Sequence, residues 1–392
     1  MSTATATAAA PANANEECVG PMSDKAGTAS SCEGCPNQSA CKSGEARKAP
    51  TVDPAIAASQ ARIAHRIFVL SGKGGVGKST FSAQLAFGLA RQGFRVGLLD
   101  VDICGPSIPL MMGLRGSEVH QSATGWSPVY VDVDAENPND ECELGVMSIG
   151  FLMPDPDAAV IWRGPRKTSL MTQFFGNVDW GELDYLVTDF PPGTSDEHIT
   201  MMQLLKPILV PGDGAVVVTT PQEVAMTDVR KELNFCRQTG LDVLGVVENM
   251  APMSVPLSGL RFTCNDEDCT EATLAKLRKL CPEVLDHVAA SVDVFPRHGG
   301  GPEAMAKQFN VPFLGRVPLD RALQRACDEG SPGLLSGSAA KAPLRRICDA
   351  VVRASGGTAG TRKPPVNGAG GVVHGVVANG VVAHGVVASK AG

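Results

Sequence analysis

The sequence predicts an α/β fold, a doubly wound and mostly parallel sheet with helices on both faces. Short apolar runs alternate with longer helical patterns from residue 66 to residue 353, which is typical of strands joined by crossover helices. The runs are apolar throughout, which indicates that both faces of each strand are covered. A glycine-rich stretch directly after the first strand is the third observation.

This glycine-rich stretch, Ser71–Thr80, fits the pattern G-x-x-x-x-G-K-[ST]. A strand over 66–70 precedes it and a helix over 80–90 follows it, which is the context of a phosphate-binding P-loop. Glycines let backbone N–H groups point into one concavity, and the helix N-terminus favours an anion. We expect Lys78 on the outer phosphates of ATP and the Ser79 hydroxyl on Mg²⁺. The candidate nucleotide-binding residues are Gly72, Lys73, Gly74, Gly75, Val76, Gly77, Lys78, Ser79 and Thr80.

Three aspartates at strand ends are further candidate site residues. Asp100 and Asp102 end a buried strand two residues apart, so both carboxylates face one side of the sheet edge where ligands bind. Asp189 ends a later apolar strand in the Walker B pattern, and we expect it to hold Mg²⁺ through water. Pro191-Pro192-Gly193 then forces a turn suited to a switch loop. The run Ser195-Asp196-Glu197-His198 is then expected to cap the next helix, and His198 to cap or pack rather than to act as a base.

Size and composition limit the class of protein. The chain has 392 residues, 43% of them apolar, which suits one α/β domain with tails. The net charge of −7 leaves no general basic field, so no direct nucleic-acid partner is expected. No apolar run of about 18 residues and no secretory pattern is present, so we expect neither a membrane span nor secretion. Twelve cysteines are then expected to be reduced thiols of a cytoplasmic protein.

Composition divides the chain into five regions. Low-complexity ends flank a cysteine-rich segment, a proline-punctuated linker and the α/β domain. The regions are 1–17 (disordered), 18–41 (cysteine-rich), 42–60 (linker), 61–355 (P-loop ATPase domain) and 356–392 (disordered low-complexity tail).

Four cysteines near the N-terminus form a candidate metal centre. Their spacing is C-x13-C-x2-C-x5-C, in a segment too polar and too rich in small residues to need buried thiols. Four thiolates complete the coordination of a [4Fe–4S] cluster, which we favour, or of a structural zinc ion. Disulfides are the third alternative. The candidate ligands are Cys18, Cys32, Cys35 and Cys41.

The sequence leaves open the role of two features later in the chain. Cys264, Cys269 and Cys281 could ligate a second metal centre, or they could be one buried and two exposed thiols. Asn249 follows an apolar run. Its amide could form hydrogen bonds with the edge of a nucleotide base, or it could stabilise a turn.

Four motifs together resemble one family. They are the second P-loop lysine, Lys73, the four N-terminal cysteines, and the runs Asp100-Val101-Asp102-Ile103-Cys104-Gly105-Pro106-Ser107 and Asp189-Phe190-Pro191-Pro192-Gly193-Thr194-Ser195-Asp196-Glu197-His198. Lys73 and the two runs resemble the Mrp branch of deviant-Walker-A, MinD-type P-loop ATPases. With the cysteines, the chain looks like the long form of the nucleotide-binding scaffolds of cytosolic iron–sulfur cluster assembly.

The resemblance implies a dimer that sandwiches nucleotide, either a homodimer or a pair with a related shorter P-loop subunit. Lys73 would then reach the partner's phosphates, Asp102 would position the attacking water, and Asp189 would hold Mg²⁺. Asn249 and Pro318 fall where relatives contact adenine. Such scaffolds assemble a [4Fe–4S] cluster and, with transfer factors, pass it to apo-proteins of the cytosol and nucleus under the control of ATP.

The chain departs from that family at two places. Phe190 stands where relatives carry a small residue or a cysteine. Many relatives also carry C-P-x-C in the later region, which binds a cluster bridged across the dimer. Here Cys264 and Cys269 are separated by four residues without a proline, so a bridging cluster stays open, with Cys281 as a candidate replacement ligand.

Other classes of function fit the sequence less well. A MinD- or ParA-like positioning ATPase needs a membrane-binding amphipathic helix or a DNA-binding basic patch, and neither is evident. A redox enzyme needs a second cofactor site, and no G-x-G-x-x-G fingerprint follows a strand. A zinc-stapled regulatory ATPase differs from the scaffold in its metal, which the sequence leaves open.

Overall fold

The computed structural model describes residues 15, 18–20, 23–44, 52–103, 105–133, 143–153, 164–331 and 338–357. The disorder predicted for 1–17 and 356–392 falls almost entirely outside these ranges and stays a prediction. Inside them, none of the helices has the length and apolar character needed to cross a membrane.

The strands of the described chain form one large sheet and three two-stranded sheets. In chain order they are β1 (Ile63–Leu70), β2 (Arg95–Asp100), β3 (Gln121–Ser122), β4 (Gly125–Trp126), β5 (Val129–Val131), β6 (Glu143–Ser148), β7 (Leu183–Asp189), β8 (Gly214–Thr219), β9 (Val243–Ala251), β10 (Met253–Pro256), β11 (Thr263–Cys264), β12 (Glu267–Asp268), β13 (Ala289–Val292) and β14 (Phe313–Pro318). The large sheet has the order β14-β9-β8-β1-β7-β2-β6-β5. Its neighbours run parallel except β5, which is antiparallel to β6.

The helices connect these strands and cover the sheet. In chain order they are α1 (Gln38–Lys42), α2 (Pro54–Gln60), α3 (Lys78–Arg91), α4 (Ile108–Met111), α5 (Gly164–Asn177), α6 (Asp196–Leu205), α7 (Glu223–Thr239), α8 (Thr270–Leu280), α9 (Pro282–His287), α10 (Gly301–Phe309), α11 (Arg321–Asp328) and α12 (Lys341–Ala354).

Alternate side chains of the central strand enter two separate cores. Ile67 and Val69 of β1 lie in one hydrophobic cluster with α3 and α12, whereas Phe68 and Leu70 lie in another with α5, α6 and α7. Successive side chains of a strand point to opposite faces, so helices cover both faces of the sheet. The predicted doubly wound sheet is confirmed.

The parallel register determines which loops meet. Asp189 at the end of β7 lies beside Val69 of β1 on one side and Asp100 of β2 on the other. The carboxyl ends of these three strands therefore bring the P-loop and both acidic segments to one edge, where open parallel sheets bind ligands.

Helix α2 lies inside the range predicted as a linker, but it is packed. Its Ile56 is fully buried, and Gln60 donates a hydrogen bond from Nε2 to the carbonyl of Phe175 on α5 at 3.0 Å. Apolar burial therefore anchors residues 54–60, the short helical pattern at the end of the predicted linker, to the domain. The boundaries 42–60 themselves stay a prediction.

The segment between β9 and α10 is an appendage to the sheet. It holds the four strands β10 to β13 and the helices α8 and α9. Among the described residues of 253–300, Leu285 is the one buried side chain, while Leu280, Val288 and Val292 are exposed. The appendage therefore adds little to either hydrophobic core.

Candidate nucleotide-binding site

The P-loop joins β1 to α3 and depends on a glycine in the left-handed conformation. Gly77, the residue before α3, has a φ of 84°, and a Cβ at this position would overlap the side-chain amide of Asn249. Asn249 donates a hydrogen bond from Nδ2 to the carbonyl of Val76 at 2.8 Å. A contact from β9 thus holds the loop, and only glycine leaves room for it.

The other glycines of the loop fall into two groups. A Cβ on Gly72 would lie 2.5 Å from the backbone nitrogen of Val229, so the loop packs closely against α7. A Cβ on Gly74 would meet only Pro192 at 3.8 Å, and one on Gly75 would meet nothing within 4 Å. Gly72 and Gly77 therefore permit close packing, whereas Gly74 and Gly75 keep the concave face open to phosphate.

Lys78 lies between two carboxylates at the carboxyl edge of the sheet. Its Nζ is 2.8 Å from Asp189 Oδ2 and 3.7 Å from Asp102 Oδ2, and its side chain is 6% exposed. Two hydroxyls donate to Asp189, Ser79 Oγ to Oδ2 and Ser82 Oγ to Oδ1, both at 2.6 Å. Sequence reasoning missed Ser82, although its spacing from Ser79 puts both hydroxyls on one face of α3.

The two aspartates predicted at the end of β2 have different surroundings. Asp100 is fully buried and accepts from the backbone N–H of Asp102 at 3.1 Å and from Ser148 Oγ at 2.9 Å. Burial, with the charge of Asp189, raises the pKa of Asp100 well above its ordinary value. Asp102 lines the cavity, so Asp100 acts as its support. Cys104, in the turn that follows, lies outside the described residues.

The donors at this edge suit Mg²⁺. The hydroxyl of Ser79 and the carboxylate of Asp189 are hard oxygen ligands, and Mg²⁺ is commonly held by one or two such groups together with phosphates and water. Among the described residues, no group of three or more Cys, His, Asp and Glu side chains is arranged to hold a metal ion. The site therefore has the composition of a nucleotide-dependent Mg²⁺ site rather than a closed protein cage.

A cavity of about 510 Å³ extends from the P-loop along the sheet edge. Asn249 and Pro318, which the resemblance assigns to adenine contact, both line it. One wall is helix α11 with its N-cap residue, which together contribute Asp320, Leu323, Gln324, Cys327 and Asp328. This helix was not predicted from the sequence, although Asp320 is a typical N-cap residue and its Oδ1 accepts from Leu323 N–H at 2.8 Å.

The second lysine of the loop, Lys73, also lines the cavity but is held within its own chain. Its Nζ is 3.1 Å from Asp228 Oδ2 on α7, and its side chain is 42% exposed. Lys231 contacts Oδ1 of the same carboxylate at 2.8 Å. Hydrogen bonds from Lys231 and Lys73 lower the pKa of Asp228. The role of Lys73 towards a partner chain stays a prediction.

The segment after β7, residues 189–195, lies against the P-loop. Gly193 N–H donates to the carbonyl of Ser71 at 2.7 Å. Phe190, the bulky departure from the family pattern, is fully buried and packs edge-on against Phe68, with 6.1 Å between ring centroids. The larger side chain therefore fills the apolar core and does not line the cavity.

The four N-terminal cysteines lie in a segment with few buried side chains. Cys32 and Cys41 are buried, Cys18 and Cys35 are half-buried, and none of the four is in a disulfide. Ala26 is the other buried side chain among the described residues of 15–44. Four soft donors fit a cluster or zinc in composition, but the described thiols form no metal-binding group of three or more as placed. Their ligation stays a prediction.

The three later cysteines are not brought together. Cys264 lies in β11 and Cys269 precedes α8, whereas Cys281 follows α8. The 11 residues of this helix span about 16 Å at 1.5 Å per residue. In the described chain α8 therefore holds Cys281 apart from Cys269, and a second metal centre in this region stays a prediction. Cys264 and Cys281 are exposed and Cys269 is half-buried, which is close to the alternative of one buried and two exposed thiols.

These features define a class of protein. A glycine-rich loop between a strand and a helix, with an aspartate and hydroxyls at the neighbouring strand end, is the phosphate site of P-loop NTPases. A family model described as NUBPL iron-transfer P-loop NTPase, within ParA, matches residues 62–281. The chain belongs to this family and is a P-loop ATPase of the Mrp/ParA type.

Three solved structures are similar to the chain. The nucleotide-binding protein of Archaeoglobus fulgidus, in complex with ADP and with cobalt, is 34% identical over 72% of this chain and 93% of its own, with a TM-score of 0.52. The cell division ATPase MinD of Pyrococcus furiosus is 18% identical over 74% and 99%, with a TM-score of 0.46. The septum site-determining protein MinD of Pyrococcus horikoshii, complexed with Mg-ADP, is 18% identical over 74% and 97%, with a TM-score of 0.45. Of these three, the first bears on family membership.

Proposed function

We propose that this chain is an ATP-hydrolysing scaffold that assembles [4Fe–4S] clusters and transfers them to apo-proteins of the cytosol and nucleus. One observation carries the proposal. A member of an iron-transfer family combines an assembled phosphate site with a separate segment in which two cysteines and an alanine are the buried side chains among the described residues. The relative from A. fulgidus, a nucleotide-binding protein in complex with ADP, supports the nucleotide half.

In the nucleotide half of the proposal, Lys78 changes partners when ATP binds. Its ammonium lies against the carboxylates of Asp189 and Asp102 in this structure. The outer phosphates would compete for that ammonium, and Ser79 and Asp189 would hold Mg²⁺, which would supply positive charge beside the phosphates. Asp102, supported by Asp100, then faces the phosphate end of the cavity and orients the attacking water.

The proposed assembly is a dimer, with a second copy or with a related shorter P-loop subunit, that faces the nucleotide. The position of Lys73 supports it, because this lysine lines the cavity and is held only by a partly exposed pair with Asp228. A solvent-exposed pair of this kind contributes little to stability, so exchanging Asp228 for a partner's phosphate costs little.

In the cluster half, Cys18, Cys32, Cys35 and Cys41 are the proposed ligands. Four thiolates supply the full coordination of a [4Fe–4S] cluster. Ligation supplies order that this segment, with few buried side chains, does not gain from a hydrophobic core. Cys264 and Cys269 have no third thiol near them in the described chain, so a cluster there needs ligands from a partner.

Metal analysis tests the cluster half. Protein purified without oxygen is expected to contain about four irons and four labile sulfides per N-terminal motif, and Cys32→Ala is expected to lose them. Cys236→Ala, which removes a buried thiol from the core of α7, is the matched control and keeps the full content. Zinc without sulfide would contradict the cluster and favour the zinc-stapled regulatory ATPase.

Cluster delivery tests the coupling to ATP. Lys78→Ala removes the ammonium that contacts both carboxylates, and we expect it to keep its N-terminal iron but to deliver no cluster to an apo-protein. Lys231→Ala, which removes an exposed lysine near the same loop, is expected to deliver at the normal rate. Undiminished delivery by Lys78→Ala would argue against control by ATP.

A further inference from the structure

The core beside the switch segment holds an acid–base pair that the nucleotide site does not explain. His198 on α6 and Glu232 on α7 have no exposed side-chain surface, and His198 Nε2 lies 3.6 Å from Glu232 Oε1. Neither that nitrogen nor either carboxylate oxygen has a hydrogen-bond partner within the described chain. A buried carboxyl without a donor is costly, so its presence calls for a reason beyond packing.

The hydrogen bonds of His198 determine its tautomer. Ser195, the N-cap residue of α6 as predicted, donates its backbone N–H to His198 Nδ1 at 3.3 Å. Nδ1 is therefore an acceptor, and the neutral ring carries its proton on Nε2, the atom nearest Glu232. Phe190 packs on the same ring, with 5.3 Å between centroids. His198 is thus attached to the switch segment 189–195 at both ends of that segment.

Glu232 shares helix α7 with the residues that contact the P-loop. It lies four residues after Asp228 on α7, so both carboxyls project from one face of the helix. Asp228 holds Lys73 at 3.1 Å, and Gly72 packs against the backbone of Asp228 and Val229. A shift of α7 therefore moves the partner of Lys73 and Glu232 together.

We propose that His198 and Glu232 are a positioning pair that couples the switch segment to the P-loop. A hydrogen bond from His198 Nε2–H to the Glu232 carboxylate, formed when the nucleotide site closes, holds Asp189 and Lys73 in the positions that hydrolysis requires. The pair rests on the proposed ATP hydrolysis and is independent of the iron–sulfur cluster.

The charges around the pair are consistent with this bond. Burial lowers the pKa of His198 to about 4, against an opposing effect of Glu197 and with a smaller contribution from Lys78. Lys167 neutralises Glu197 at 2.8 Å. Burial raises the pKa of Glu232 to about 7 and that of Cys236, one turn further along α7, to about 12. The imidazole and the thiol are therefore neutral near pH 7, where the Glu232 carboxyl ionises and becomes the stronger acceptor.

Kinetics and stability of two variants of the full chain separate a positioning role from a structural one. Glu232→Leu removes an unpartnered buried carboxyl, so we expect a higher Tm, because apolar replacement of an unsatisfied polar group is often stabilising. We also expect kcat for ATP to fall about tenfold with KM little changed, since the lost bond forms only in the closed state.

The conservative variant supplies a second readout. Glu232→Gln keeps an acceptor for Nε2–H and is expected to recover most of kcat. The wild-type kcat is expected to rise from about pH 6 to about pH 8 as Glu232 ionises, and Glu232→Gln to lose that rise. This profile alone decides the matter if Glu232→Leu does not fold. Cys236→Ala, on the same buried face of α7, is the matched control, with wild-type kcat and the wild-type pH profile.

Three results would contradict the proposed positioning role of His198 and Glu232. They are a wild-type kcat in Glu232→Leu, an equal loss of kcat in Cys236→Ala, and an unchanged pH profile of kcat in Glu232→Gln. If the wild-type chain itself hydrolyses no ATP, the proposed function fails and the pair fails with it, which is distinct from a normal wild-type rate that the variants do not alter.

Discussion

The phosphate edge and the thiol segments hold their functional groups in opposite ways. The phosphate edge is formed by the loop 71–79 and the aspartates at the ends of β2 and β7. Its buried Asp189 is held by three contacts of 2.6 to 2.8 Å, from Ser79, Ser82 and Lys78. The thiol segments, residues 18–41 and 253–281, contain seven predicted cysteine ligands, four and three, of which two are buried. Among the described residues these thiols form no metal-binding group.

This difference shows whether each site is organised before its ligand binds. Backbone hydrogen bonds between parallel strands bring Asp100 and Asp189 together without any ligand, so the phosphate edge is preorganised. Thiols in short, exposed segments have no such scaffold, and metal binding itself supplies the free energy that gathers them. The phosphate edge should therefore respond sharply to small steric changes, and the thiol segments to the loss of specific ligands only.

The largest effect is expected at Gly77. In Gly77→Ala the new Cβ overlaps the Asn249 amide in a left-handed backbone, and a left-handed non-glycine residue alone costs about 1–2 kcal/mol. We expect ATP affinity to fall about hundredfold by calorimetry. Gly75→Ala is the matched control, because Gly75 has a φ of 80° but no atom within 4 Å of a Cβ.

Gly75→Ala is expected to lose only about tenfold, the effect of backbone strain without the clash. Equal losses in the two variants would show that the contact with Asn249 does not hold the loop. The phosphate edge would then not be sensitive to small steric changes.

A smaller effect is expected at Ser82. Its hydroxyl donates to Asp189 Oδ1 at 2.6 Å and so orients the proposed Mg²⁺ ligand. Removing a group that orients a metal ligand typically costs about 10–100-fold in metal affinity, so Ser82→Ala should raise the Mg²⁺ concentration for half-maximal ATP hydrolysis about tenfold. Ser355→Ala, which removes a buried hydroxyl bonded to Tyr185, should leave it unchanged. An unaltered Mg²⁺ requirement in Ser82→Ala would count against this orientation.

The smallest effect is expected at Cys281. It lies beyond α8 from Cys264 and Cys269 and is exposed, so Cys281→Ser should leave both iron content and ATP hydrolysis unchanged within about twofold, the usual result for a surface substitution. Iron and sulfide assays measure the outcome. A loss of iron as large as that expected of Cys32→Ala would place Cys281 among the cluster ligands.

Local patterns predicted much of the fold and part of the site. The P-loop, Asp189 and the Ser195 cap each depend on neighbours in the chain, so the sequence was sufficient for them. The sequence did not predict the roles of Ser82, Asp228 and helix α11. Each role depends on a contact with a part of the chain that is distant in sequence. Asp228 shows no signal until α7 is packed against the loop that carries Lys73.

The later thiols show what the sequence left open. Cys264, Cys269 and Cys281 are close in the chain, so both a common centre and separate thiols were possible, and the rise of α8 separates Cys281 from the other two. Residues that are close in the chain therefore do not come together in space when a helix lies between them.

By itself, the sequence determined the doubly wound sheet and the phosphate loop, because periodicity and spacing are properties of neighbouring residues. The tertiary structure decided which carboxylates surround Lys78, that Asp100 supports Asp102, that Phe190 fills the core, and that His198 faces Glu232. Those relations join residues far apart in the chain, and they exist only once strand register and helix packing have placed the side chains together.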